Sequence, residues 1–154
     1  NMYAVNFGVG SKEEKKLLNI NTESSSSTIN ELRTESNYYK KKFFLINLFK
    51  GQIIKDRLEI NIIKLDNYIY QNKIPSIDLL KIDTEGFEFD VLQGVNDNLK
   101  KIKAIYFEHH FDDMIIKKYT LSNIHDLLIQ NGFKKIFKIK MKFRKSFEYL
   151  YLKS

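Results

Sequence analysis

The stretch from Ile77 to Gly94 constrains the fold more than any other, because the periodicity of the chain changes inside it. Ile77, Leu79, Leu80 and Ile82 make an apolar run too short for a helix and suited to a buried strand. The run breaks into Asp83, Thr84, Glu85 and Gly86, two carboxylates and a glycine within four residues. From Phe87 the spacing turns helical. Phe87, Val91, Leu92 and Val95 fall on one face, and Gly94 stands where a helix ends. Strand, acidic turn and helix form a βα unit of an open α/β sheet. Ligands of such sheets bind beyond the carboxyl ends of the strands, where Asp83 and Glu85 would stand.

Lys81 interrupts a run that a doubly buried strand would keep apolar. Residues two apart share a face of a strand, so Lys81, Asp83 and Glu85 line up on one side. Lys81 then either belongs to a ligand site or pairs with Asp83 to hold the strand end. Asp83 and Glu85 read as functional, because carboxylates at this point of a sheet are costly unless used. Glu88 and Asp90 are assigned to the exposed face of the helix, near the positive end of its dipole.

The residues Lys81-Ile82-Asp83-Thr84-Glu85-Gly86-Phe87-Glu88, followed by Val91-Leu92-Gln93-Gly94-Val95, resemble the signature of the FkbM-type methyltransferases. The resemblance implies methyl transfer from S-adenosyl-L-methionine, usually to a hydroxyl of a sugar, glycolipid or polyketide. It extends to Val5-Asn6-Phe7-Gly8-Val9-Gly10-Ser11, similar to the family's third strand and its exit, and to the serine cluster from Ser24 to Thr28. Ile62-Ile63-Lys64-Leu65-Asp66-Asn67-Tyr68-Ile69 and Gly132-Phe133 are similar to later steps of the same domain. The implied fold is α/β, a Rossmann-like methyltransferase sheet, mostly parallel with a terminal antiparallel hairpin. The family's glycine-rich first loop and the acidic end of its second strand, which hold the cofactor's carboxypropyl and ribose groups, come before this point. Residues 1–154 are therefore expected to be a single, N-terminally incomplete domain. The missing strands would lie beside the signature strand, so its edge is expected to be vacant and open to self-association.

Along the chain, residues 3–7 read as a short strand ending at Gly8-Val9-Gly10. This Gly-x-Gly could itself be a cofactor loop opening a helix at Ser11. The resemblance instead makes residues 15–20 the returning strand of a hairpin. Residues 21–28 form a polar loop, and 29–37 show no clear period. Residues 38–49 mix Lys40, Lys41 and Lys42 with Tyr38, Tyr39, Phe43, Phe44 and Phe49, giving a core helix, an extended edge, or a lid over the acceptor. Leu58, Ile60 and Ile62 alternate as a half-buried strand, and residues 65–72 make a short helix stopped before Pro75. Residues 97–103 form a turn or short helix. Residues 104–108 are the next buried strand, its end carrying His109, His110, Asp112 and Asp113. Ser122 is expected to cap a helix over 123–131 with Gly132 as its stop. Residues 135–141 and 147–152 alternate as the terminal hairpin.

Methyl transfer from a sulfonium needs an aligned acceptor and, for a hydroxyl, a base. His109 is the candidate base, since an unperturbed histidine titrates near about 6.5. Asp83 or Glu108 would orient it or the substrate, and Asp83, Glu85 and Lys81 would contact the cofactor. The bland alternative is an exposed histidine pair in a loop. His109, His110, Asp112, Asp113 and Asp83 are crowded at no recognisable ligand spacing, so no metal is assigned. His125 reads as structural.

Composition removes other classes. The chain has no cysteine, which excludes disulfides, thiolate catalysis and cysteine-bound zinc. No apolar run approaches a membrane span and no secretion signal is visible, so a cytoplasmic setting is expected. The net charge is +7, yet only Arg33, Arg57 and Arg144 are arginine, which argues against nucleic acid as a partner. The expected partner is a small-molecule or glycan acceptor. Two other readings stay open: a non-catalytic methyltransferase remnant, and a lysine-rich module binding nucleic acid or anionic membrane through residues 40–42 and 134–145.

Overall fold

A computed structural model describes residues 2–21, 27–49, 54–142 and 145–154. It is a mixed α/β arrangement with two sheets. The first contains β1 (Gly8–Val9), β2 (Glu14–Asn21) and β3 (Ile54–Ile63) in the order β1-β3-β2. The second contains β4 (Ile77–Ile82), β5 (Ile102–His110), β6 (Phe133–Lys140) and β7 (Ser146–Lys153) in the order β4-β5-β7-β6. The helices are α1 (Asn37–Phe49), α2 (Leu65–Gln71), α3 (Glu88–Gln93) and α4 (Leu121–Gln130), with a 3-10 turn at Asn96–Lys101. No helix among the described residues is long and apolar enough to cross a membrane.

The βα reading of residues 77–94 holds: β4 runs into the acidic turn and then α3, and β5 lies parallel beside it, Lys81 opposite Tyr106 and Ile82 opposite Phe107. The terminal hairpin holds too, with β7 inserted antiparallel between β5 and β6. The first sheet differs from expectation. Residues 3–7 form no strand, and β2 pairs antiparallel with β3 rather than returning on β1. The reason is that the ten-residue β3 offers two edges. β1 takes one in parallel, while β2 takes the other, braced by Lys15–Glu59 at 2.8 Å.

One face of the second sheet carries the core. Ile82, Ile105, Phe107, Tyr149 and Tyr151 pack there against Ile69, Val91, Leu92, Ile124 and Leu128 of the helices. The other face is largely open, with Leu79 55% exposed and Ile139 and Leu152 also outward. β4 is thus not buried on both sides, as its apolar run suggested. It ends the sheet, with β5 its one strand neighbour among the described residues. Residues 38–49 are helical, and Phe43, Phe44 and Leu45 are exposed, so these three side chains do not enter the core.

Two helix ends show how glycine and caps are used. Gly94 closes α3 with φ −75°, so no left-handed conformation requires it. It is required by contact: a Cβ there would lie 2.0 Å from the Gly10 carbonyl oxygen. The α4 cap is Thr120, whose N–H donates to Asn123 Oδ1 at 2.8 Å. Ser122, expected at the cap, lies inside the helix and reaches Asp126 at 3.3 Å.

Candidate active site

The turn after β4 is bent by backbone that few residues adopt. Glu85 has φ 48° and Gly86 φ 99°. A left-handed glutamate persists only where its surroundings over-determine it, and here five hydrogen bonds do so. Thr28 Oγ1 donates to the Glu85 carbonyl at 2.8 Å and Asn30 Nδ2 to the Gly86 carbonyl at 2.6 Å. The Gly86 N–H donates to Glu88 Oε1 at 2.7 Å, and Thr84 Oγ1 reaches the same oxygen at 3.2 Å. The Tyr119 hydroxyl donates to Glu88 Oε2. Glu88 is therefore 1% exposed, a buried acceptor and not the surface residue its helix pattern implied. Burial and the Glu88 carboxylate push the Tyr119 hydroxyl far above its ordinary pKa, so it stays a donor.

Thr28 and Asn30 reach the turn because their segment is laced to the loop after β5. Arg33 N–H donates to the Met114 carbonyl at 2.7 Å, and Ile116 N–H to the Glu31 carbonyl at 3.0 Å. Of the serine cluster, residues 24–26 lie outside the described residues.

The bend turns Glu85 inward onto β5. Its Oε2 lies 3.1 Å from His110 Nε2, and Glu108 Oε1 lies 3.5 Å from the same nitrogen. Asp112 Oδ2 meets the other ring nitrogen at 3.3 Å, while Asp112 Oδ1 accepts the Met114 N–H at 3.0 Å. Burial by itself disfavours the charged ring. The hydrogen bonds to Asp112 and Glu85, with the charges of Glu85 and Glu108, outweigh it and push His110 up to about 10. His110 is an imidazolium at neutral pH. Asp112 is held below its ordinary range: burial opposes this, but the His110 bond and the Met114 N–H prevail.

His109 points to the opposite face, because successive residues of a strand alternate. It is buried against Phe111 and Tyr119, with ring centroids 4.9 and 5.7 Å away. Burial, then the charges of Lys117 and His110, lower it to about 4. Its Nδ1 has no hydrogen-bond partner among the described residues. The structure thus does not bring His109 to Asp83 or Glu108; it brings His110 to Glu85 and Glu108. Asp83 sits exposed at the strand tip, 3.1 Å from Lys81, with which it forms an ion pair. His125 meets the Tyr151 hydroxyl at 3.0 Å, as a structural residue would.

Among the described residues no group of three or more His, Asp or Glu side chains is placed to hold a metal ion. A cleft of about 410 Å³ touches the turn from the β2 side, through Gly86, Phe87, Asp90 and Tyr119. Asp83, Glu85 and His110 do not line it.

Residues 1–135 match the family described as Methyltransferase FkbM domain. The chain belongs to that family. No curated protein and no solved structure matches it. The family is one of methyltransferases, typically dependent on S-adenosylmethionine. This FkbM domain fits that cofactor in one part only. The exposed Asp83 carboxylate can accept hydrogen bonds from hydroxyls or an ammonium group. The Gly-x-Gly is unavailable as a cradle: a Cβ on Gly10 would lie 2.7 Å from Ile62 and 2.9 Å from Phe87, so protein already fills that space.

Proposed function

We propose that this FkbM domain serves S-adenosylmethionine-dependent O-methylation of a hydroxyl on a sugar, glycolipid or polyketide-like acceptor. The bound cofactor would supply an electrophilic methyl group. The observation that carries the reading is the meeting of Glu85 and Glu108, from the ends of neighbouring parallel strands, on one imidazolium. His110 already carries its proton at neutral pH, so it is a positioning donor and not the base. It holds the Glu85 and Glu108 carboxylates side by side at the ends of β4 and β5, and Glu108 is assigned the role of accepting the hydroxyl proton. Asp83 is assigned to cofactor hydroxyl or ammonium groups. The proposed setting is cytoplasmic.

The test is calorimetric titration of S-adenosylhomocysteine into the full polypeptide, with labelled methyl transfer to a glycan and glycolipid extract. Asp83→Ala should weaken cofactor binding at least about tenfold without unfolding the domain. Glu108→Gln should keep cofactor affinity and slow transfer about 100-fold or more. Unchanged affinity in Asp83→Ala defeats the cofactor assignment. Absence of any affinity favours a non-catalytic methyltransferase remnant, a reading supported by the filled space at Gly10.

A further inference from the structure

Helix α1 stands apart from the chemistry above, and no other described strand or helix packs closely along it. Its base is fixed: the Ser36 Oγ accepts the Tyr39 N–H at 3.0 Å and the Ser36 carbonyl accepts the Lys40 N–H at 3.0 Å. Tyr39 stacks on Phe43 with ring centroids 6.1 Å apart. Beyond this the helix shows solvent a face a soluble domain has no internal use for. Phe44 is 66% and Leu45 61% exposed, and both line a shallow notch with Lys40 and Lys41. Residues four apart are neighbours on a helix, so Lys40 stands beside Phe44 and Lys41 beside Leu45. All four share one arc of about 140°. Asn37–Phe49 contains three lysines and no acidic residue.

We propose that this face of α1 docks the domain on an anionic lipid bilayer. Phe44 and Leu45 enter the boundary between headgroups and acyl chains. The lysine stems lie along them, with the ammonium groups raised to the lipid phosphates. The composition of the face selects this occupant. A second copy would bring two lysines against two lysines. Nucleic acid would use the lysines, but it offers nothing to Leu45, and the helix has no arginine for bidentate contacts. A bilayer with acidic headgroups satisfies both the charge and the apolar tips. The inference does not depend on the methyltransferase reading.

The experiment is flotation of the purified protein with phosphatidylglycerol–phosphatidylcholine vesicles and with phosphatidylcholine vesicles, at about 0.15 M ionic strength. The protein should float with the acidic vesicles and not with the neutral ones. Phe44→Ser with Leu45→Ser leaves the charge unchanged and should reduce flotation at least tenfold. Lys40→Glu with Lys41→Glu should do the same. These side chains are exposed, so the variants should keep the parent's circular dichroism and melting temperature. No flotation of the parent overturns the proposal. So does flotation undiminished by Phe44→Ser with Leu45→Ser, since that marks charge alone. Self-association or duplex DNA binding abolished by the serine variant, without vesicle binding, also overturns it and assigns the face to that partner.

Discussion

The two faces of the four-stranded sheet differ in what covers them, and β5 runs through both. Ile105, Phe107 and His109 point to the helices; Tyr106, Glu108 and His110 point to the open side. Both histidines are buried, yet they ionise in opposite directions. His109 has aromatic neighbours and the nearby cations Lys117 and His110, and it is lowered to about 4. His110 has three carboxylates and is raised to about 10. Burial acts the same way on both, so the partners decide the sign.

The most damaging change should be His110→Ala. It leaves Glu85, Glu108 and Asp112 facing one another with little compensation, and removing one partner of a buried charged set costs about 3–5 kcal/mol. His109→Phe removes a ring nitrogen that has no partner, and stability should stay within about 1 kcal/mol of the parent. Urea denaturation of the two variants compares the faces directly. Equal losses would mean that covering has nothing to do with the difference.

Titration separates them a second way. His110 binds a proton more tightly folded than unfolded, so its contribution is complete below the unfolded value near about 6.5 and is lost as pH rises toward about 10. His109 is held neutral in the fold. Its penalty grows as pH falls from about 6.5 toward about 4, where only the unfolded chain takes up the proton. Asp112, lowered in the fold, adds to the loss at still lower pH. Stability against pH should therefore be a dome peaking near about 6.5. His109→Phe should flatten its acid limb and His110→Ala its alkaline limb, read from urea midpoints between about pH 4 and 10.

A smaller effect tests how the turn delivers Glu85 to the open side. Gly86→Ala forces a Cβ to 2.7 Å from Ile115 and 2.8 Å from Asn30 at φ 99°, and should cost about 1–3 kcal/mol. Thr28→Val, which removes one donor to the Glu85 carbonyl, should cost about 1 kcal/mol. Both are read by denaturant unfolding, and a Thr28→Val loss matching that of Gly86→Ala would make the hydrogen bond, not the backbone, the main restraint.

What the sequence revealed follows the range of its signals. Local period marks β4, α3, α4 and each strand of the closing hairpin, because each is written within a dozen residues. The pairing of β2 with β3 spans some forty residues and leaves no local trace. Alternation sets His109 apart from Glu108 in the sequence, and the same alternation removes it from the carboxylates. Finding His110 needed the bend at Glu85, which a positive φ conceals from any helix or strand pattern. The burial of Glu88 escapes the helix pattern for the same reason: its partners Gly86, Thr84 and Tyr119 come together only once the turn has formed.

The smallest expected effect is at the strand tip. Lys81 and Asp83 are both exposed and 3.1 Å apart, and such a pair contributes at most about 1 kcal/mol, falling with salt. Lys81→Ala should thus leave the urea midpoint nearly unchanged. It should also free Asp83 from its one ion-pair partner among the described residues. If Asp83 contacts the cofactor, removing that competitor should leave or raise affinity for S-adenosylhomocysteine, whereas Asp83→Ala should lower it. Equal loss of affinity in both variants would make Lys81 itself a ligand-contacting group. Equal loss of stability, with affinity untouched, would reduce the pair to a clasp on the end of β4, leaving the inward-facing carboxylates as the sole acidic chemistry of this turn.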